Sequence, residues 1–264
     1  MYKTMEFKTL LFAESEHITT ITFNRPEKRN AVSYQLIDEL SRALESAAAS
    51  SSQILVITGA GKAFCAGMDL DNLRDITSRS PEENIEDSRK MARLFRSLYD
   101  FPKPTIAAVN GAAIAGGTGI ATICDFTLAV PEAKFGYTEV KIGFVPAIVS
   151  TFLVRQVGEK VARDLLLTGR LFDAAEALRL GLVNEVVAPT ELPGRTKSLA
   201  QSLMENSIAS LTATKELLSR ATREQLDREI EAAIQQNAGI RATADFREGI
   251  SAFLEKRKPV WTGN

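Results

Sequence analysis

The chain has 264 residues, 45% of them hydrophobic and 25% charged, with a formal net charge of −1. This is the balance of a globular domain with a sizeable core. It argues against a nucleic-acid or acidic-membrane partner, and no apolar run approaches the ~18 residues of a membrane span. Two cysteines, Cys65 and Cys124, and one histidine, His17, give neither a disulfide framework nor a metal-ligand set. Met1–Glu6 lacks the apolar segment of a secretion leader, so the expected location is the cytoplasm.

Phe7–Phe12 and Ile18–Phe23 read as paired strands, with His17 at the head of the second as a structural residue. A lone imidazole there leaves nothing from which to build a Ser-His-Asp site. Residues 24–30 are a polar, basic loop. The spacing of Leu36, Ile37, Leu40, Leu44 and Ala47 predicts a helix from Ser33, ended by Ser50-Ser51-Ser52. Ile54–Ile57 reads as a buried strand. After it, Thr58-Gly59-Ala60-Gly61 turns and Ala63–Leu70 leads into a helix start. Residues 74–84 are polar and read as mobile. A helix with Met91, Phe95 and Leu98 inward follows and runs to Pro102.

The densest signal lies between Pro102 and Pro146. Thr105–Val109 is a short apolar run, the pattern of a strand buried on both faces. Asn110-Gly111 is turn chemistry. The small residues Ala112 to Gly119 then lead into the apolar Ile120–Cys124, read as a buried helix. Side chains this small allow close approach to the backbone, and a helix N-terminus offers free N–H groups and a positive dipole end. Either a group that is or becomes negative sits at Gly116-Gly117, or the glycines serve close helix–strand packing. Ala66-Gly67 stands at the equivalent point of the preceding strand–turn–helix unit. Two such turns side by side can aim two N–H groups at one oxygen.

Asp125–Val130 reads as another strand. Beyond Pro146 the pattern is helical except for Val183–Val187. Asp173 to Glu176 and Thr222 to Gln225 have capping-box spacing. Stripes of Leu226, Ile230, Ala233 and Ile234, and of Phe246, Ile250, Phe253 and Leu254, call for packing partners, either a neighbouring subunit or the chain's own core.

Read together, the words Asn24-Arg25-Pro26 to Ala31, Phe64 to Asp69, Pro104 to Gly111, Ala115-Gly116-Gly117, Cys124-Asp125, Ala133 to Gly136, Leu167-Thr168-Gly169, Ala177 to Val183 and Phe253 to Arg257 resemble the enoyl-CoA hydratase/isomerase (crotonase) superfamily over nearly the whole chain. The resemblance implies an α/β fold, a crotonase-like spiral of strand-strand-helix units over residues 1–189. A C-terminal helical region, 190–264, would serve trimerisation, with trimers often stacked into hexamers. It implies an acyl-CoA thioester substrate and an oxyanion hole made of the Met68 and Gly116 backbone N–H groups. Coenzyme A enters as part of the substrate, with no separately bound cofactor and no metal.

The acid–base positions depart from the family pattern. Of its two usual glutamates, the first position is Gly119 here; the second is Glu139. The loop Phe144–Val149 lacks the family's glycine cluster, which should reshape the pocket. Thr118 and Tyr137 could hold a water, or simply bond locally. By family position Lys28 and Arg29 would meet the CoA phosphates. Ala31, Ala66, Asp69 and Leu70 would flank adenine and pantetheine, largely through backbone. Phe253 and Lys256 would reach the CoA of an adjacent subunit. The leading expectation is an enoyl-CoA hydratase. Alternatives are a double-bond isomerase using Glu139 alone, an acyl-CoA decarboxylase, and a thioester-binding protein without turnover.

Overall fold

A strand, a turn, a second strand and a helix recur along the chain, and that unit sets the architecture of the computed structural model, which describes residues 6–264. Met1–Met5, most of the segment read for a leader, lie outside the described residues. β1 (Leu10–Ser15) and β2 (Ile18–Phe23) form a hairpin, followed by α1 (Tyr34–Ala49). The first unit is β3 (Ile54–Gly59), β4 (Ala63–Cys65), α2 (Leu70–Ile76) and α3 (Pro81–Tyr99). The second is β5 (Thr105–Val109), β6 (Ala112–Ile114) and α4 (Gly116–Ile123). The third is β7 (Phe126–Ala129), β8 (Lys134–Gly136), a 3-10 turn (Glu139–Ile142) and α5 (Ala147–Thr168), which is broken at Gly158. Then come β9 (Phe172–Asp173), α6 (Ala174–Arg179), β10 (Glu185–Val186), α7 (Leu192–Met204), α8 (Ile208–Arg220), α9 (Arg223–Ile240) and α10 (Ala244–Glu255).

The first strand of each unit enters a six-stranded sheet in the order β1-β2-β3-β5-β7-β10, and the second enters a four-stranded sheet, β4-β6-β8-β9. All neighbours are parallel except β1–β2 and β8–β9. The chain therefore winds as a spiral, the crotonase fold. β5 is buried at every position, as its unbroken apolar run requires. The predicted stripe of α1 is buried, and Ser33 caps the helix by accepting from the Leu36 amide.

Several boundaries differ from the sequence reading. β1 begins at Leu10, not Phe7. His17 is exposed in the hairpin turn rather than in β2; it and Glu16 take φ of +62° and +51°, the left-handed geometry of a tight turn. Residues 74–84 hold the end of α2, a turn at Thr77-Ser78 and the start of α3, where Ser80 and Glu83 form a complete capping box. The polar side chains of this segment face solvent in the main, whereas Asn84 is buried. Asp173 caps α6 through the Glu176 amide, whereas Thr222 heads α9 with no side-chain cap and its hydroxyl is buried without a partner.

Leu226, Ile230, Ala233 and Ile234 join the main core, where α9 lies on α3 and α5. Phe246 and Ile250 instead build a separate small core with Leu73 and Ile76, against which Met68, Ile142, Phe144 and Leu254 pack.

Candidate active site

β4 and β6 pair in parallel, Ala63 with Ala112 and Cys65 with Ala113, so the turns that follow them lie side by side. In the first turn Gly67 has φ +90°; in the second Ala115 has φ +52° and ψ −123°. Each of these left-handed residues rotates the peptide plane just before the next amide, at Met68 and at Gly116. For Ala115 that conformation carries strain of about 1–3 kcal/mol, a feature that concentrates at functional sites.

Hydrogen bonding aims the Met68 amide, and helix geometry leaves the Gly116 amide free. Val32 N–H donates to the Gly67 carbonyl at 2.7 Å, and the Asp69 N–H donates to the Val32 carbonyl at 2.9 Å. Successive groups along an extended chain point to opposite sides, so the Met68 N–H faces away from Val32. The Gly116 N–H is the first of α4 and has no helical acceptor. Among the described residues neither amide donates to a protein group.

The glycine pair divides its work. A β-carbon built on Gly117 would overlap the Cys65 carbonyl and stand 3.0 Å from the Cys65 sulfur, whereas one on Gly116 would meet nothing within 4 Å. Gly117 is therefore a packing glycine, and Gly116 faces open space. That space is a cavity of about 240 Å³ lined by Gly67, Met68, Ala115, Gly116 and Glu139, with a mainly apolar wall that includes Phe95, Phe144 and Val149.

Glu139 opens the 3-10 turn, and its Oε2 is buried with no hydrogen-bond partner. Burial among apolar groups pushes its carboxyl up to about 7, opposed by its own backbone amide. Near neutral pH such a group both takes and gives a proton, the poise expected of a general acid–base. The family's other carboxylate has no room here. A β-carbon on Gly119 would lie 2.5 Å from the Phe95 ring and 2.6 Å from a Val149 methyl.

Over residues 13–264 the sequence matches the family described as Enoyl-CoA hydratase/isomerase. The chain belongs to that family. A Thermus thermophilus protein named "Putative enoyl-CoA hydratase" is 47% identical over 93% of this chain and 98% of its own length. "Crotonyl-CoA hydratase" of Syntrophomonas wolfei is 34% identical over 96% and 98%. A crystal structure of an enoyl-CoA hydratase from Mycobacterium avium superposes with a TM-score of 0.85 at 32% identity, covering 96% of this chain and 99% of the other.

Within this enoyl-CoA hydratase/isomerase chain the remaining expected residues fall into groups. Ala66 lines the cavity, and Ala31 is buried on the loop that Arg25 and Asn30 fix. Arg25 donates to the Ala31 carbonyl and pairs with Asp69 at 2.7 Å, while Asn30 donates to the carbonyls of Ala60 and Ala63. Asp69 also caps α2 through the Asp71 amide, so its side chain holds the turn rather than facing a ligand. Lys28 and Arg29 are exposed on the same loop, with Lys28 3.5 Å from Asp71. Leu70 is exposed at the head of α2, and Lys256 is exposed at the end of α10. Phe253, half-exposed, lines the cavity of its own chain, since α10 folds over the site. Thr118 and Tyr137 bond locally. The Thr118 hydroxyl donates to the Ala113 carbonyl, and the Tyr137 hydroxyl meets that of Thr122 at 3.2 Å.

The sequence reading missed a polar corner of the same cavity formed by Asp87, Asn237 and Arg241. The Arg241 guanidinium pairs with Asp87 at 2.7 Å and donates to Asn84 and Asn237. A signal existed: Asn84, Asp87 and Ser88 continue the 3.6-residue stripe of Met91, Phe95 and Leu98 toward the start of α3. Among the described residues no cluster of His, Cys, Asp or Glu could hold a metal, and no helix is long and apolar enough to cross a membrane.

Proposed function

We propose that the chain is an enoyl-CoA hydratase that works with one carboxyl group. The observation that carries this is Glu139, unpartnered and titrating near neutrality, on the wall of a cavity that two free backbone amides also line. The thioester oxygen of a 2-enoyl-CoA accepts from the Met68 and Gly116 N–H groups. Glu139, ionised, takes a proton from water as the water oxygen bonds to C3. The C2=C3 electron pair moves toward the thioester, leaving enolate charge on the oxygen. Glu139 then returns its proton to C2, and the product is a 3-hydroxyacyl-CoA. Each oxyanion donor is worth ~10²–10³ in rate, and the acid–base group ~10²–10⁴.

The apolar filling at Gly119 favours a second reading, isomerisation. With no carboxylate opposite, Glu139 moves a proton between C4 and C2 of a 3-enoyl-CoA and no water adds. Product masses after incubation with 2-enoyl-, 3-enoyl- and carboxylated acyl-CoAs separate the cases. Gain of one water supports hydration. A shifted double bond at constant mass supports isomerisation, and loss of CO₂ supports decarboxylation. No change with a thioester that binds refutes turnover altogether.

For CoA itself, Lys28 and Arg29 are exposed where phosphates could reach them, and Ala66 offers backbone on the cavity wall. Assembly as a homotrimer, or as a hexamer of stacked trimers, is supported by exposed Leu217 and Leu218 on α8 and Leu167 at the end of α5. Light scattering on the eluted protein tests it. Two free cysteines are consistent with the reducing cytosol.

A further inference from the structure

We infer that α10 sets where the Glu139 carboxyl stands, through a backbone-on-backbone contact that only glycine permits, and that Gly249 and Gly143 are positioning residues for proton transfer. The inference rests on the reading of Glu139 given above. The 3-10 turn carrying Glu139 ends at Gly143, which has φ +66°. A β-carbon on Gly143 would overlap the Asp245 carbonyl oxygen and come within 3.0 Å of the Phe246 α-carbon. Reciprocally, a β-carbon on Gly249 would overlap the Ile142 carbonyl and stand 2.9 Å from the Gly143 nitrogen. One glycine on each side lets helix and turn touch with no side chain between them.

The same helix reaches the other half of the site. Phe246 and Ile250 form the small core with α2, on which Met68 packs, and Phe246 lies 5.3 Å from the Phe144 ring between centroids. Thus α10 touches both the turn that carries the carboxyl and the segment that carries one oxyanion amide. Its own first turn is clasped by the chain that follows it. Asp245 accepts from the Thr262 and Gly263 amides at 2.7 and 3.1 Å, and its N–H donates to the Asn264 carbonyl at 2.9 Å. Glu248 pairs with Arg257 and accepts from the Val260 amide.

A mid-helix glycine is otherwise a poor choice, since alanine is the better helix former. Its presence at 249 is explained by the approach of the turn. An added methyl must displace the Ile142–Gly143 peptide, and with it Glu139 three residues earlier. A displacement of ~1 Å at a reacting group costs up to ~10²-fold in rate.

The test compares Gly249→Ala with Asp245→Ala, which loosens the clasp away from the cavity. Gly239→Ala on α9, where a β-carbon meets nothing within 4 Å, is the control. Each is assayed with a 2-enoyl-CoA across pH. Gly249→Ala is expected to lower kcat ~10–100-fold with KM within about twofold of wild type, and to shift the midpoint of the kcat–pH profile. Asp245→Ala is expected to lower kcat several-fold with a shifted midpoint, and the control to match wild type. Wild-type kcat and midpoint in Gly249→Ala, whatever its melting temperature, overturn the inference. Should that variant not fold, the same readouts on Asp245→Ala decide. Full activity in Glu139→Gln refutes the Glu139 reading and this one together. Activity lost there but kept in the two α10 variants refutes this one alone.

Discussion

Glu139→Gln separates the chemical role of the carboxyl from its effect on folding, because the two depend on pH in different ways. The folded chain lifts this carboxyl from an ordinary 4.5 to about 7, by burial. The folded state therefore holds the proton to higher pH than the unfolded chain does. The stability this lends is whole below about pH 4.5, declines as pH rises and is gone above about 7. A rise of about 2.5 pH units, at 1.36 kcal/mol each, corresponds to about 3 kcal/mol. Glutamine is neutral throughout and bears no such cost, so its advantage over wild type grows by about 3 kcal/mol between pH 4.5 and 8. At roughly 2–4 °C per kcal/mol, the gap in melting temperature widens by roughly 6–12 °C. Over the same range kcat of the wild type rises with a midpoint near 7 as the base ionises, and Glu139→Gln loses ~10²–10⁴ of it. Melting curves and initial rates at matched pH measure both. A melting difference that is flat in pH means that the carboxyl is not desolvated, and a surviving kcat removes it from the mechanism.

Substitution at the neighbouring glycines should have opposite consequences. Gly116→Val leaves folding intact and abolishes thioester turnover by filling the cavity. Gly117→Ala costs about 1–3 kcal/mol by forcing α4 off Cys65; calorimetry and steady-state rates distinguish them. Gly119→Glu destabilises by about 1–3 kcal/mol, because the new side chain meets both the Phe95 ring and a Val149 methyl; thermal melting measures it. Asp87→Ala strands Arg241 as a buried charge and costs about 3–5 kcal/mol, whereas the paired change Asp87→Leu with Arg241→Met stays within about 2 kcal/mol of wild type; denaturant midpoints give both values.

What could be read from the chain follows its physics. Long periodic segments such as α1, and apolar runs such as β5, declare themselves because many residues report the same face. The strands of the small sheet are two or three residues long, too short to show alternation, so β6 and β8 went unseen even though β6 places the Gly116 amide. The paired turns were legible because glycine marks them. Their convergence was not, since it depends on the pairing of β4 with β6. Glu139 stood out only through family words; its burial comes from α10 and the Phe144 loop, which lie far from it or are featureless in sequence. The Asp87–Arg241 corner joins residues on two helices far apart in the chain, and neither charge looked unusual alone.

The two amides proposed to meet the acyl oxygen, at Met68 and Gly116, belong to the main chain, so beyond the adjoining Gly67 and Gly117 they place little demand on which amino acids surround them. The residues of the cavity wall are free to diverge and to admit acyl groups of different shape while the polarising pair stays where the strand pairing put it. A scan that truncates side chains one by one passes over this pair without a signal. Its signature lies in the torsion angles of Gly67 and Ala115 instead.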